Sequence, residues 1–378
     1  MIYDRIEAVR ELLEEEKLDA VLVNKEVNLH YFSGFTGDST FLVISRQKAF
    51  LVTDFRYTEQ AVQQCPEYEI VEQTEGLLTA VAELSVKEGY KKVGFEGGAL
   101  IYDAYAALKR KMSGISLTKS VKLDELRAVK EDEEIQYIRK AVSISDKAFA
   151  EVLSYLRSGL KEKEVAAFME NAMRVKGSER PAFTTIVASG KRGSLPHGTA
   201  SDKVIEKGDL VTMDFGAVYK GYHSDITRTV CVGWADDIKR NIYNLVLKGQ
   251  LLGVSKVRPG VSGKSVDLAV RKCFDEEGGP ILAEMGLPVE ELDSNGKAVG
   301  MSRYFGHGLG HSLGLEIHEE PRLSRFSKCK SLPINTLITV EPGIYIPDWG
   351  GVRIEDTVLV TEDGREVLTK SPKQLIEL

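Results

Sequence analysis

Up to about residue 122, short apolar runs alternate with amphipathic stretches: DAVLVN, FLVIS and AFLVTD, then TEGLLTAVAELSVKEG, then KKVGFEG. Apolar runs of this length read as buried strands, and the stretches between them are long enough for helices, which predicts an α/β domain on a mixed or parallel sheet. The opening MIYDRIEAVRELLEEEKLDA carries charges throughout, so it reads as an amphipathic surface helix, neither a signal peptide nor a membrane span. No glycine-rich phosphate loop follows any of these runs, and this half reads as a scaffold or a lid.

The pattern changes at the charged stretch LDELRAVKEDEEIQYIRKAV. Beyond it Ile135, Ile138, Val142, Phe149, Val152, Leu153 and Leu156 fall on one helical stripe. A long helix therefore opens a second domain, and the boundary is placed near residue 123, giving domains 1–122 and 123–378. Further amphipathic helices are predicted from Lys161 to Val175 and from Ile238 to Val257.

Two β-hairpins follow. In DLVTMDFGAVYKGYHSDITRTVCV, two β-rich runs flank a turn near Tyr219, Lys220 and Gly221; in TLITVEPGIYIPDWGGVRIEDTVLV the turn falls around Pro347, Asp348, Trp349 and Gly350. Alternate strand residues share a face. Thr212, Asp214 and Gly216 therefore lie together, as do Asp225, Thr227 and Thr229. A turn centred between Tyr219 and Lys220 sets Asp214 opposite Asp225, to within a residue or two. On the second hairpin Thr339 and Glu341 share one face, Arg353 and Glu355 align on the partner strand, and a turn centred on Asp348 sets Glu341 opposite Glu355.

Carboxylates held side by side in an apolar sheet repel and lose hydration, so they must protonate, pair with a cation or bind metal. Four of them balance two divalent cations. The segment FGHGLGHSLGLEIHEEP adds His307, His311 and His318, half of the six histidines in the chain. On a helix the HxxxH spacing of the first two would present paired zinc ligands. Gly306, Gly308, Gly310 and Gly314 argue instead for an irregular or extended segment. Oxygen-rich ligands with one imidazole suit Mn, Co, Fe or Zn, and two such ions would lie ~3.5 to 4 Å apart and activate a bridging water as hydroxide. His223 shares the face of Asp225 but is read as a neighbour, and His30, which has no constellation around it, as structural.

Length and composition narrow the setting. At 378 residues, with 43% hydrophobic and 28% charged residues, the chain is an ordinary two-domain globular protein. A net charge of -7 argues against nucleic-acid or anionic-membrane partners. Cys65, Cys231, Cys273 and Cys329 are scattered without a CxxC pair, which predicts reduced thiols and a cytoplasmic protein.

LPHGTASD, MDFGAVYKGYHSDITRT, FGHGLGHSLGLEIHEEP, TVEPGIYI and GGVRIED, in this order, resemble the prolidase, aminopeptidase P and methionine aminopeptidase family of dinuclear metallopeptidases. That resemblance implies a pita-bread α+β catalytic domain behind a creatinase/prolidase-type α/β domain, in which EVNLHYFSGFTGDST looks like a strand-and-turn segment. It implies Asp214, Asp225, His311, Glu341 and Glu355 as metal ligands, with Asp214 and Asp225 largely serving one ion and His311 the other. Glu341 would also be the general base. By the same likeness His318 and His197 contact the substrate, and Arg353 bonds the metal-site carboxylates, Glu355 among them. His307 has either a structural role or a substrate contact. A homodimer is also implied.

The N-terminal domain fits the prolidase and aminopeptidase P branches. A dipeptidase must recognise the free carboxylate of the product-side proline, and Arg322 in HEEPR is the candidate cation, a plain surface arginine being the alternative. The reading is hydrolysis of the bond before proline in Xaa-Pro dipeptides. Xaa-Pro aminopeptidase action on longer peptides is the alternative, and a creatinase-like amidinohydrolase or a non-catalytic binding protein is more remote because all five ligands are present.

Overall fold

The apolar runs of the first half form strands whose side chains are buried on both faces, including all of Ala20–Val23, Phe41–Ser45 and Ala49–Thr53. In the computed structural model, which describes residues 2–292, 296 and 298–378, the chain divides into two units, Met1–Arg127 and Ala128–Leu378. The expected boundary near residue 123 falls on a 3-10 turn, Leu123–Arg127, that belongs to the first unit. There the buried Arg127 guanidinium donates to the Asn28 side chain and to Asp124 Oδ1 at 2.9 Å.

The first unit is built on one six-stranded sheet in the order Glu69–Glu72, Ala49–Thr53, Phe41–Ser45, Ala20–Val23, Lys92–Phe95, Ser116–Ser120. Its three middle-left strands pair antiparallel and the flanking pairs are parallel, so the sheet is mixed. Parallel neighbours need crossovers, and helices such as Leu77–Lys87 and Tyr102–Lys111 supply them. The expected strand-and-turn at EVNLHYFSGFTGDST is instead a helix, Glu26–Ser33. Asn28, Leu29, Phe32 and Ser33 are buried at helical spacing, and Gly34, at φ 73°, ends it with its N–H on the His30 carbonyl. His30 lies on this helix with Nδ1 3.3 Å from the Phe35 carbonyl.

In the second unit, helices Asp132–Tyr155 and Glu162–Val175 pack on a sheet of Ile226–Cys231, Leu210–Phe215 and Ile186–Ser189, burying Phe149, Met169, Met213 and Phe215. Helices Asp237–Lys256 and Gly263–Glu277 bury Ile242, Val246, Val270 and Phe274 with Ile338 and Val358 of a second sheet, Leu337–Val340, Asp356–Thr361 and Gly364–Val367. Each half is thus a helix pair on a small antiparallel sheet, an α+β arrangement. No helix among the described residues is long and apolar enough to cross a membrane.

The first hairpin differs from expectation in register. Lys220 at φ 49° and Gly221 at φ 79° are its central residues, the paired positive φ values of a tight hairpin turn. The turn is centred one residue later than expected, so the ladder slips by two and Asp214 faces Thr227, not Asp225. A slip of two preserves parity, and the two aspartates keep their faces. The second hairpin turns about Asp348 as expected, with Val340 opposite Asp356 and Gly343 opposite Arg353.

Candidate metal centre

Three of the four hairpin carboxylates sit where a strand breaks from one ladder before joining another. Asp225 lies between Tyr222–His223 and Ile226–Cys231, Glu341 between Leu337–Val340 and Gly343–Ile346, and Glu355 between Gly350–Arg353 and Asp356–Thr361. At these breaks the backbone turns to other partners: the Glu341 N–H donates to the Leu309 carbonyl at 2.8 Å and the Glu355 N–H to the Thr227 carbonyl at 3.1 Å. Gly216 permits the first break, since a Cβ there would lie 1.9 Å from the Ser224 carbonyl oxygen. Asp214 remains within its strand.

The result is a convergence of acids from both hairpins. Carboxylate oxygens of Asp214, Asp225 and Glu355 lie within 4.8 Å of one another. His311, on the short strand Gly310–Ser312, brings Nε2 to 3.6 Å from Asp225 Oδ2 and 3.4 Å from Glu341 Oε1. Its Nδ1 donates to the Ser312 carbonyl at 3.0 Å, which leaves the Nε2 lone pair facing the acids. The segment is extended, not helical, and Gly310 is required there because a Cβ would meet the Thr339 carbonyl oxygen at 1.9 Å.

The electrostatics are those of acids crowded out of water. Burial, then the charges of Glu355, Asp214 and Glu341, hold the Asp225 carboxyl well above the usual carboxylate range. Burial, then Glu341 and Asp214, do the same to Glu355, and burial foremost pushes Glu341 up to about 8. The His311 imidazole is pushed down to about 3 by burial and by His318, so it stays neutral. Among the described residues, Arg353 is the one buried cation lining this cavity.

The guanidinium of Arg353 donates to Asp214 Oδ2 at 2.6 Å, to Thr227 Oγ1 at 3.0 Å and to the Tyr345 hydroxyl at 2.7 Å. Thr227 Oγ1 in turn donates to Glu355 Oε2 at 2.7 Å. The expectation that Arg353 grips Glu355 is therefore corrected: among the metal-site carboxylates it grips Asp214, and it reaches Glu355 through the Thr227 hydroxyl, which stands between the two side chains. Neither Thr227 nor Tyr345 was singled out as a site residue from sequence. Strand parity could have found both, since Thr227 shares a face with Asp225, and Tyr345 shares one with Glu341.

These residues fit divalent metal. Asp214 Oδ1, Asp225 Oδ1 and Glu355 Oε1 are buried with no hydrogen-bond partner, an arrangement that costs free energy unless a cation meets them. Asp214 and Glu355 thus each keep one oxygen held, by Arg353 and by Thr227, and one free to coordinate. A dication would reverse the preference for the protonated form.

A cavity of about 590 Å³ opens over this floor. Phe183, Ile186, Pro196 and Ile317 form apolar wall, and His197, His318 and Arg322 bring polar groups to it. The His318 ring stands edge-on to His311 with centroids 4.5 Å apart. Burial and Arg322 lower its pKa. His307 Nδ1 donates to the Gly308 carbonyl and Nε2 lies 2.9 Å from the Tyr345 hydroxyl, so it is tied to the Arg353 network as well as lining the cavity. Arg322 sits opposite His311 across its strand pair, half exposed, with Nε 3.4 Å from Glu320 Oε1. His223 is outside this group; its Nδ1 and N–H both meet the Gly314 carbonyl.

Residues 136–362 match metallopeptidase family M24, and residues 5–129 match the creatinase/prolidase N-terminal domain. The chain is 37% identical over 377 residues to the Xaa-Pro dipeptidase of Pyrococcus horikoshii, covering 99% of each. Its structure is similar to that of an Xaa-Pro dipeptidase from Bacillus anthracis, with TM-score 0.92, 42% identity and 100% of both chains covered. It is also similar to an X-Pro aminopeptidase from Thermotoga maritima, with TM-score 0.84, 35% identity and 99% of both covered. The second unit has the pita-bread fold of these neighbours. The chain belongs to metallopeptidase family M24, a family of metal-dependent peptidases, and joins its peptidase domain to a creatinase/prolidase-type N-terminal domain.

Proposed function

We propose that this peptidase hydrolyses the bond before proline, in Xaa-Pro dipeptides above all, with Asp214, Asp225, His311, Glu341 and Glu355 holding two divalent cations. The observation that carries the metal assignment is the set of three orphaned carboxylate oxygens on one floor with the His311 lone pair. Bound cations supply Lewis acidity and a hydroxide nucleophile near neutral pH. Manganese is proposed as the ion, with cobalt, zinc and iron accepted by the same donor set.

The protein's own groups divide the remaining work. Glu341, placed at the cavity floor and touching His311, takes the proton as general base. His318 and His197, on the cavity wall, contact the scissile carbonyl and the substrate backbone. Arg353 holds Asp214 in place by a charge-assisted bond. The apolar wall of Phe183, Ile186 and Ile317 excludes water around the reacting bond.

Arg322 is the cation that the dipeptide carboxylate would meet, and Xaa-Pro dipeptidases among the relatives support that reading. Aminopeptidase action on longer peptides is the second reading, favoured by the half-exposed Arg322 and by the Thermotoga maritima neighbour. A homodimer in the cytoplasm completes the proposal; it rests on the family resemblance and on four free cysteines.

Cleavage of Ala-Pro, Ala-Pro-Ala and Met-Ala-Ser by protein loaded with Mn or Co tests the assignment. Ala-Pro is expected to be cleaved with the highest kcat/KM. Faster cleavage of Ala-Pro-Ala would select the aminopeptidase, and preference for Met-Ala-Ser would remove proline from the specificity.

A further inference from the structure

The segment that carries His197 is held by a carboxylate that has no place in the steps above. After strand Ile186–Ser189 the chain makes the 3-10 turn Gly190–Ser194 and returns so that Thr199 bridges back to Ile186. Glu162, the first residue of helix Glu162–Val175, lies fully buried at the neck of this loop. Its Oε1 accepts from the Ser189 N–H at 2.8 Å and the Ser189 hydroxyl at 2.9 Å. Its Oε2 accepts from the Ser201 N–H at 3.0 Å, from the Ser201 hydroxyl at 2.7 Å and from the Arg192 guanidinium.

Arg192 then donates to the Thr199 carbonyl at 2.9 Å. One carboxylate therefore ties the outgoing end, the returning end and, through Arg192, the turn between them. At the tip, the Pro196 carbonyl accepts from Arg353 at 3.2 Å. Placing an ionised carboxylate out of water is costly and must be answered by donors. Among the described residues, every donor Glu162 meets belongs to residues 189–201, so the cost is answered only when that loop is closed in this shape.

We propose that Glu162 is a positioning residue for the peptidase reaction, fixing the loop 189–201 so that His197 faces the cavity floor. The inference rests on the reading of His197 as a substrate-contacting group. Glu162 touches neither substrate nor floor, and its effect passes through His197.

A double-mutant cycle on the metal-loaded full chain tests this, with Ala-Pro as substrate. Glu162→Gln, which removes the charge and sets an amide group against the donors of Ser201, is expected to lower kcat/KM roughly tenfold, within the scale that small misplacements of a contacting group cost. Bound metal per chain should stay at the wild-type value. In a His197→Ala background the same change should cost nothing further, because the group it positions is gone. A loss that multiplies on that of His197→Ala, or no loss in the wild-type background, overturns the inference while the functional reading stands. A His197→Ala variant with unchanged kcat/KM overturns it at its premise. Wild-type protein that fails to cleave Ala-Pro overturns the functional reading and the inference together. Should Glu162→Gln fail to fold, Ser201→Ala removes a single hydroxyl donor and carries the same cycle: a smaller loss confined to the wild-type background supports the inference, and an equal or absent loss in both backgrounds overturns it.

Discussion

Glu341 touches His311 at the floor and accepts from Thr339 Oγ1 at 3.4 Å, and in the proposed reaction it serves as both ligand and base. Glu341→Gln keeps the size but removes the base and a ligand charge. Turnover is expected to fall at least roughly a hundred- to ten-thousandfold, the range a general base contributes, with the fold intact by circular dichroism. Near-normal turnover would take Glu341 out of the reaction. Arg322 makes a different prediction because its proposed partner is the carboxylate that only a dipeptide places there. Arg322→Ala should raise KM for Ala-Pro far more than for Ala-Pro-Ala, and an equal effect on both would end the dipeptide argument. At this scale the sequence was informative through parity: Asp214, Asp225, Glu341, Glu355 and Arg353 were readable from strand alternation. The bond from Arg353 to Asp214 was not, because it crosses 139 positions of chain and depends on how two hairpins are stacked.

At the scale of elements, the hairpins succeed by turning and by breaking. Lys220 and Gly221 both adopt positive φ, and the slip this imposed on the ladder changed which residues face each other without changing which face they occupy. Two glycines therefore carry different predictions. Gly221→Ala meets only Leu315 Cδ2 at 3.3 Å, so its cost is the left-handed backbone, about 1–2 kcal/mol in a denaturant titration. Gly216→Ala would force a methyl to 1.9 Å from the Ser224 carbonyl, next to Asp225. That variant should lose more stability than Gly221→Ala and bind metal more weakly by calorimetry; wild-type metal affinity would show that the strand break does not place Asp225. The strand-and-turn expected at Glu26–Ser33 rests on the family resemblance, whereas the helix buries Asn28, Leu29, Phe32 and Ser33 on a short face that only its neighbours reveal. The helix Gly263–Glu277 went unread although Val266, Val270 and Phe274 mark its stripe, since charged residues interrupt it.

For the whole molecule, the crowded acids make stability depend on pH and metal together. In the metal-free protein the folded-state pKa values of Asp225, Glu341 and Glu355 are raised, that of Glu341 from 4.5 to about 8. The folded state then holds protons that the unfolded chain has released, so the contribution of these acids to stability is fullest below the unfolded value and is lost as pH rises toward about 8. Dications bound at the proposed site would replace those protons. Thermal unfolding of chelator-treated protein should show Tm falling between about pH 7 and about pH 8, above the range in which the buried, neutral His307 and His311 oppose the trend, while Mn-loaded protein shows little change across that window. The same slope with and without metal would mean the acids are not where the cations bind. At a free metal concentration a hundredfold above Kd, loading should add about 2.7 kcal/mol per site, which a denaturant midpoint resolves.

The sequence by itself determined the two-part architecture, most helices and both hairpins, and the strand faces on which Asp214, Asp225, Glu341 and Glu355 lie, because apolar periodicity and strand parity are local properties of the chain. It also argued against a helical HxxxH site through the glycines around His307 and His311, and the segment is extended. Only the tertiary structure decided that Arg353 reaches Glu355 through Thr227, and that Tyr345 joins His307 to that network. It alone placed Glu162 beneath the His197 loop. These are contacts between residues far apart in the chain, fixed by the packing of separate elements around a buried charge, and no local pattern encodes which distant donor will answer it.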